Sequence, residues 1–136
     1  MSAVDALLAE ARGGLVRLDP LAASAAVDDG ALLVDIRPEA QRRAEGEVPG
    51  ALVIERNVLE WRMDPTCPSC LPEIVDHQRP IVVLCSEGYA SSFAAATLRQ
   101  LGLEHATDVA GGFHAWRRAG LPVVGGGAAA GHRDVC

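Results

Sequence analysis

The sequence of 136 residues contains no lysine, because all twelve of its basic residues are arginine. The absence of lysine excludes Schiff-base chemistry and a lysine general base. Acidic residues outnumber basic ones, and the net charge of -6 argues against a nucleic-acid partner, since phosphate binding needs a basic face. No apolar run approaches the ~20 residues of a transmembrane helix. We therefore expect neither a nucleic acid nor a membrane as a partner.

The composition indicates a single globular domain. Hydrophobic residues make up 49% of the chain and charged residues 22%, which is typical of proteins that fold around a core. A chain of this length usually forms one domain. Residues 1–14 lack the basic region and apolar run of a signal peptide, so we expect a cytoplasmic protein. Its four cysteines are then expected to be reduced, catalytic or metal-binding.

Strand patterns alternate with helical patterns along the chain, which indicates an α/β protein. This order predicts a mostly parallel five-stranded sheet with helices on both faces. The five predicted strands lie at 15–18, 32–36, 51–54, 81–84 and 106–110. We predict an N-terminal helix within 1–14, a domain over 15–123 and a flexible Gly/Ala-rich tail over 124–136.

The stretch 81–92 carries the strongest indication of a site. Its first four residues are apolar and mostly β-branched, which predicts a strand buried on both faces, and Cys85 follows directly. A short loop pivots on Gly88, and we expect Ser91 or Ser92 to cap the next helix. Cys85 would then lie at the ligand-binding edge of the sheet and face a helix N-terminus. Such surroundings lower a cysteine pKa from ~8.5 to ~3.5–7.5, although position alone fits a buried structural cysteine equally well.

Four motifs resemble those of the rhodanese (sulfurtransferase) family, in the same order. The loop Cys85-Ser86-Glu87-Gly88-Tyr89-Ala90 is similar to the family's six-residue active-site loop, which has glycine in fourth place. Leu33-Val34-Asp35-Ile36-Arg37 resembles its Asp-x-Arg strand. Residues 46–51 resemble its Gly-His-Ile-Pro-Gly-Ala turn, with Glu47 in place of histidine, and 111–122 resemble its closing segment. The resemblance covers roughly residues 15 to 123.

The resemblance implies a rhodanese-like α/β fold and a sulfurtransferase that needs no cofactor. The Cys85 thiolate would attack the outer sulfur of a donor such as thiosulfate, and a thiol or cyanide would remove that sulfur from the resulting persulfide. Backbone N–H groups of the loop and the helix start would hold the persulfide; they belong to Ser86, Glu87, Gly88, Tyr89, Ala90 and Ser91. The expected partners are a small sulfur donor and its acceptor, with a sulfur-carrier protein as a further candidate.

The charge of the loop bears on the choice of donor. Family members that act on thiosulfate often carry arginine or lysine there, whereas this loop has Glu87 and Tyr89 as its ionisable side chains. Glu87 is expected to weaken thiosulfate binding, unless it is simply a solvated loop charge. Arg37 and Arg56 follow strand ends and are candidate sources of positive charge, although Arg37 better fits a structural partner of a backbone or carboxylate group. Asp35 is expected to hydrogen-bond the backbone near the loop.

Two alternative functions differ in how well the residues support them. A cysteine phosphatase or arsenate reductase would carry an arginine six positions after the cysteine, where this chain has Ser91. That reading is rejected. A non-catalytic rhodanese-like module for protein binding or regulation is the alternative that we retain, although such modules often lack the cysteine.

The remaining cysteines allow three interpretations. Cys67 and Cys70 form a Cys-x-x-Cys pair, and His132 and Cys136 lie near the C-terminus. These four side chains could hold zinc, or one of the pair could resolve a persulfide or sulfenic acid on Cys85. A single Cys-x-x-Cys is a weak indication, however, so unreactive loop cysteines are the favoured interpretation.

Overall fold

The computed structural model describes residues 1–126. The predicted tail falls mostly on residues 127–136, which lie outside the described part. The helices are α1 (Ala3–Arg12), α2 (Pro20–Asp28), α3 (Glu39–Glu45), α4 (Leu59–Met63), α5 (Ala90–Gln100) and α6 (Gly112–Arg118), with a 3-10 turn at Arg56–Val58. The strands are β1 (Leu32–Asp35), β2 (Leu52–Val53), β3 (Ile81–Leu84) and β4 (Ala106–Asp108).

The sheet is parallel throughout, with the strand order β2-β1-β3-β4. Its central strands are buried on both faces because parallel strands need crossover helices, and those helices cover the sheet. One face packs against α4 and α5, whereas the other packs against α2 and α6. Val34 and Val83 point to the first face, and Leu33 and Val82 to the second. The predicted rhodanese-like α/β fold with a parallel sheet is confirmed.

The sheet has four strands rather than the predicted five, because the segment 15–18 makes a single parallel bridge. Leu18 N donates to the carbonyl of Asp108 at 3.1 Å, and Ala110 N donates to Leu18 O at 2.7 Å. Two residues before Leu18, the carbonyl of Val16 accepts a hydrogen bond from the Thr107 hydroxyl at 2.7 Å and not from a backbone N–H of β4. Val16 is also 81% exposed, so no burial favours further pairing. The segment therefore follows the β4 edge without extending the sheet.

Hydrogen bonds hold both ends of the described chain in place. Ser2 Oγ accepts from Asp5 N at 3.1 Å and Asp5 Oδ2 accepts from Ser2 N at 3.1 Å, which is a capping box that starts α1. After α6, Val124 and Glu47 exchange two backbone hydrogen bonds of 2.8 Å. Among residues 1–126, no helix combines the length and the apolar character that crossing a bilayer requires.

Candidate active site

Cys85 lies where the buried strand β3 meets the N-terminus of α5. Its side chain is fully buried. The Sγ atom accepts hydrogen bonds from Gly88 N at 3.2 Å and from Ser91 N at 3.3 Å. Converging backbone N–H groups at a helix start form a site that favours a negative charge. The geometry therefore suits a cysteine that works as a thiolate.

Glycines let the loop pack closely against the start of α6. Gly88 adopts a φ of 88°, in the left-handed region that favours glycine. A Cβ on Gly112 would lie 2.6 Å from the carbonyl oxygen of Cys85, closer than real Cβ contacts. That same carbonyl accepts from Phe113 N at 2.8 Å. Gly112 therefore allows the close backbone approach that holds the loop against the start of α6.

The serines that follow the loop do not cap α5 as expected. The helix begins at Ala90 without a side-chain capping bond, so Ser91 and Ser92 lie inside its first turn. Ser91 Oγ donates to Asp108 Oδ2 at 2.7 Å and Ser92 Oγ donates to the same oxygen at 2.8 Å. The prediction of a serine cap is wrong because a buried carboxylate, which is a strong acceptor, takes both hydroxyls.

Asp108 also accepts hydrogen bonds from an arginine of the N-terminal segment. It is fully buried, and Arg17 donates to its Oδ1 at 2.9 Å and its Oδ2 at 3.1 Å. Arg17 Nη2 and Arg12 Nη2 both donate to the carbonyl of Gly88, at 2.9 and 2.8 Å. Arg12 Nε donates in addition to Ser92 Oγ at 3.0 Å. We call the set of Arg12, Arg17, Ser91, Ser92 and Asp108 the Asp108 network.

Sequence reasoning missed Arg12, Arg17 and Asp108. The contacts of the two arginines join residues 71 to 91 positions apart, so no local sequence pattern indicates them. The nearest indication was the loop's lack of a cation, which raised the question of where a positive charge would come from. The arginines that the structure brings to the loop are these two, which the sequence did not nominate.

Arg37 lies on the other side of the loop and is fully buried. Its guanidinium donates to Asp35 Oδ2 at 2.7 Å, to Glu45 Oε1 at 2.9 Å and to Gly46 O at 2.9 Å, and it lies 4.1 Å from the centre of the Phe113 ring. Burial disfavours the charged form, but the hydrogen bonds and charges of Asp35 and Glu45 outweigh it and raise the pKa of Arg37. Arg37 thus contacts two carboxylates and a backbone carbonyl, as the favoured interpretation expected, and its structural role stays a prediction.

Asp35 hydrogen-bonds the backbone, as expected, but its partner lies in the segment after β1 and not in the Cys85 loop. Its Oδ1 accepts from the backbone N of Arg37 at 3.0 Å, and both of its oxygens face the Arg37 guanidinium. Contact with the loop runs instead through Glu45, whose Oε1 accepts from the Ser86 hydroxyl at 2.9 Å. We call Asp35, Arg37, Glu45 and Ser86 the Arg37 network.

Cys85 opens onto a cleft of about 420 Å³. Apolar side chains cover part of its wall, and the charged groups that line it are Glu39, Glu55 and Arg56. Arg56 donates to Glu60 at 2.9 Å and is 39% exposed. Of the two arginines nominated as sources of positive charge, Arg56 therefore lies at the cleft. Arg37 does not line the cleft and donates its hydrogen bonds to Asp35, Glu45 and the Gly46 carbonyl.

The two other described cysteines lie in a turn after α4. Cys70 N donates to Cys67 O at 3.0 Å, and burial is the main cause that raises the pKa of the Cys70 thiol. The other two nominated zinc ligands, His132 and Cys136, lie outside the described residues. Within residues 1–126 no three His, Cys, Asp or Glu side chains are grouped to hold a metal ion. The zinc site therefore stays a prediction.

Known proteins similar in sequence include sulfurtransferases. A sulfurtransferase from Allochromatium vinosum is 36% identical over 93 residues, which cover 68% of this chain and 78% of that protein. The thiosulfate sulfurtransferase GlpE from Actinobacillus pleuropneumoniae is 39% identical over 49 residues, which cover 36% of this chain and 45% of that protein.

Solved structures show the same fold. A protein of unknown function from Rhodopseudomonas palustris, described as a possible tyrosine phosphatase, matches with a TM-score of 0.81 and 31% identity over 91% of this chain and 96% of that one. The polysulfide-sulfur transferase of Wolinella succinogenes matches in fold with a TM-score of 0.69 and 21% identity over 94% and 91%. The family model described as "Rhodanese-like domain" matches residues 19–119. The chain therefore belongs to the rhodanese-like domain family.

Proposed function

We propose that this protein is a sulfurtransferase that carries a sulfane sulfur as a persulfide on Cys85. The observation that carries the proposal is the surroundings of Sγ, which accepts from the N–H groups of Gly88 and Ser91 beside the cleft. The relatives named as sulfurtransferases support the reaction class. A thiol that must stay available for this cycle works in a reducing compartment, so we place the protein in the cytoplasm.

The proposed cycle has two displacements at sulfur. The Cys85 thiolate attacks the outer sulfur of the donor, a new S–S bond forms, and the donor's own S–S bond breaks so that its leaving group departs with the electron pair. With thiosulfate the leaving group is sulfite. The nucleophile of the acceptor then attacks the outer sulfur of the persulfide, and the thiolate of Cys85 is regenerated. With a donor that carries an S–S bond, neither displacement transfers a proton, so the loop needs no general base. With 3-mercaptopyruvate a C–S bond would break instead, and the enolate of pyruvate would leave with the electron pair and take a proton from water.

The loop stabilises the anionic sulfur at both stages of this cycle. The two N–H donors meet a thiolate before the first displacement and a persulfide after it. The side chain of Cys85 is buried, so water competes little for these donors. The outer sulfur would extend into the cleft, where the acceptor reaches it.

The charges around the cleft favour a donor less anionic than thiosulfate. Arg56 is paired with Glu60, and Glu39 is paired with Arg43 at 2.7 Å, so these four charges largely balance. Glu55 lines the cleft as a further carboxylate, and Glu87 adds another in the loop. Carboxylates at the cleft oppose the approach of a dianion. A low-molecular-weight persulfide or the persulfide of a carrier protein fits this cleft better.

Initial rates of sulfur transfer to cyanide test the proposal. The donors are thiosulfate, 3-mercaptopyruvate and a low-molecular-weight persulfide, and the variants are Cys85→Ser and, as a matched control, Cys67→Ser. We expect turnover with at least one donor, no turnover in Cys85→Ser and unchanged turnover in Cys67→Ser. Absence of turnover with all three donors would overturn the proposal and favour a binding module instead.

Phosphatase chemistry is not favoured, although the relative from Rhodopseudomonas palustris is described as a possible tyrosine phosphatase. At the position of a phosphatase arginine stands Ser91, whose hydroxyl donates to the buried carboxylate of Asp108. A carboxylate behind the loop disfavours a phosphate dianion, which needs a bidentate cation there. We expect no hydrolysis of p-nitrophenyl phosphate above the level of Cys85→Ser.

A further inference from the structure

Two arginines that reach the Cys85 loop lie outside the part of the chain that matches the family. The match covers residues 19–119, whereas Arg12 ends α1 and Arg17 precedes the first matched residue. α1 packs along α5, the helix that starts at the loop, and so brings Arg12 to the side of its first turn. The N-terminal segment thus adds two guanidinium groups to a loop that has no cation of its own.

Both guanidinium groups converge on Gly88, the residue that shapes the loop. Its carbonyl accepts from Arg12 at 2.8 Å and from Arg17 at 2.9 Å, while its own N–H donates to Sγ of Cys85. The carbonyl of Gly88 is therefore held by two guanidinium groups, while its N–H is bonded to Sγ of Cys85. Two charge-assisted hydrogen bonds on one carbonyl fix the peptide plane that follows Gly88 and oppose rotation of the turn.

The two arginines differ in how much of their charge is balanced. Arg17 faces Asp108, a fully buried carboxylate that would otherwise repel a thiolate at Cys85. The contacts described for Arg12 are with neutral groups: the Gly88 carbonyl, the Ser92 hydroxyl and the Tyr89 ring, whose centre lies 5.7 Å from its guanidinium carbon. Arg17 therefore cancels a harmful negative charge, and Arg12 adds a positive one.

We infer that Arg12 and Arg17 are positioning residues that hold the Gly88 turn and favour the thiolate of Cys85. They bring positive charge to the Gly88 carbonyl from the N-terminal segment, not from within the loop. The inference rests on Cys85 being the reactive thiol of the proposed function, but it concerns the protonation state of that thiol and not the identity of the donor.

The pH dependence of Cys85 alkylation by iodoacetamide tests this role in the full chain. Mass spectrometry of the Cys85 peptide separates its reaction from that of the other cysteines, and iodoacetamide is neutral, so its approach does not depend on the mutated charge. The variants are Arg12→Gln, which removes the charge, and Arg12→Lys, which keeps it. Arg79→Gln is the matched control. Arg79 also donates to two backbone carbonyls, but it lies just before β3, at the amino ends of the strands and away from the Cys85 loop.

We expect the midpoint of the alkylation profile to move to higher pH in Arg12→Gln, with alkylation at pH 7 slower by roughly three- to tenfold. Arg12→Lys should recover most of this loss, and Arg79→Gln should match the parent protein. An equal midpoint in the parent protein and Arg12→Gln would overturn the inference, as would an equal shift in Arg79→Gln. Because alkylation needs no sulfur donor, failure of the proposed transfer activity leaves this result readable on its own.

Discussion

Two arginine clusters flank Cys85, and the formal charges of their members sum to opposite signs. Arg37 is fully buried, whereas Arg12 and Arg17 are half-buried. The Arg37 network sets two carboxylates, Asp35 and Glu45, against one guanidinium. The Asp108 network sets two guanidinium groups, from Arg12 and Arg17, against one carboxylate. Counted over these residues alone, the formal charge is negative in the first cluster and positive in the second, and Cys85 lies between them. His114, whose Nε2 lies 3.5 Å from Glu45 Oε2, borders the first cluster.

The clusters also differ in where they meet the loop. The Arg37 network reaches it through Glu45, which accepts from the hydroxyl of Ser86. The Asp108 network reaches it through the carbonyl of Gly88, whose N–H bonds Sγ. We infer from this difference that Arg37 serves mainly the stability of the fold, whereas Arg12 and Arg17 serve the charge at the sulfur, with Arg17 also stabilising the buried Asp108. One cluster joins β1 to α3, and the other recruits the N-terminal segment to the loop.

The largest effect that we expect is loss of stability in Arg37→Leu. The change leaves two buried carboxylates without their shared arginine, and removing one partner of a buried ion pair costs about 3–5 kcal/mol. Urea unfolding measures the free energy of unfolding. Arg43→Leu is the control, because Arg43 is 81% exposed and its pair with Glu39 contributes about 0.5 kcal/mol or less. Equal losses in the two variants would mean that the Arg37 network does not stabilise the fold.

A smaller loss of stability is expected in Arg17→Gln. Asp108 is fully buried, but Arg17 is 21% exposed and the two serine hydroxyls still donate to the carboxylate, so we expect a loss of about 2–3 kcal/mol. The double variant Arg17→Gln/Asp108→Asn removes the stranded charge and should unfold at a higher urea concentration than Arg17→Gln alone. A double variant less stable than Arg17→Gln would contradict the charge-balancing role of Arg17.

A change of loop charge should affect the donor more than the fold. In Glu87→Arg the half-buried loop carboxylate becomes a cation, which restores the positive charge missing from the loop. We expect kcat/KM for thiosulfate to rise by about three- to tenfold, because a dianion now meets attraction instead of repulsion. The control is Glu104→Arg, which makes the same charge change just before β4, at the amino ends of the strands. If both variants leave kcat/KM for thiosulfate unchanged, Glu87 is a solvated charge without influence on the donor.

The smallest effect concerns the start of α1, the helix that carries Arg12. Hydrogen bonds from the side chain and then the backbone of Ser2 lower the pKa of Asp5 below its ordinary value of 3.8. A carboxylate with a depressed pKa contributes stability above 3.8 that is lost as the pH falls through the folded value. Below pH 3.8 we expect the protection of the first turn of α1 to fall, where protection is the ratio of the intrinsic to the observed hydrogen-exchange rate at the same pH. In Asp5→Asn this protection should not change across that pH; a step that persists in Asp5→Asn would contradict the assignment.

The parts of the molecule that sequence reasoning predicted are those encoded locally. The apolar run before Cys85 and the glycine three residues after it predict the strand and the loop, because both depend on neighbours in the chain. The contacts of Arg37 with carboxylates were predictable for the same reason, since its partners Asp35 and Glu45 lie two and eight residues away.

The parts that sequence reasoning missed depend on distant partners. Ser91 and Ser92 suit a helix cap, but a carboxylate 16 to 17 residues downstream takes both hydroxyls. The segment 15–18 has the pattern of a strand, but the Thr107 hydroxyl takes the carbonyl that a fifth strand would have used. Burial and acceptor strength decide both cases, and neither is visible before the chain is folded.

The most direct test of the central claim is the intact mass of the protein before and after incubation with a sulfur donor. The account predicts a gain of one sulfur atom with thiosulfate or a low-molecular-weight persulfide, loss of that sulfur on addition of cyanide, and no gain in Cys85→Ser. A gain of sulfur in Cys85→Ser equal to that of the parent protein, or no gain in the parent protein with any donor, would contradict a persulfide on Cys85.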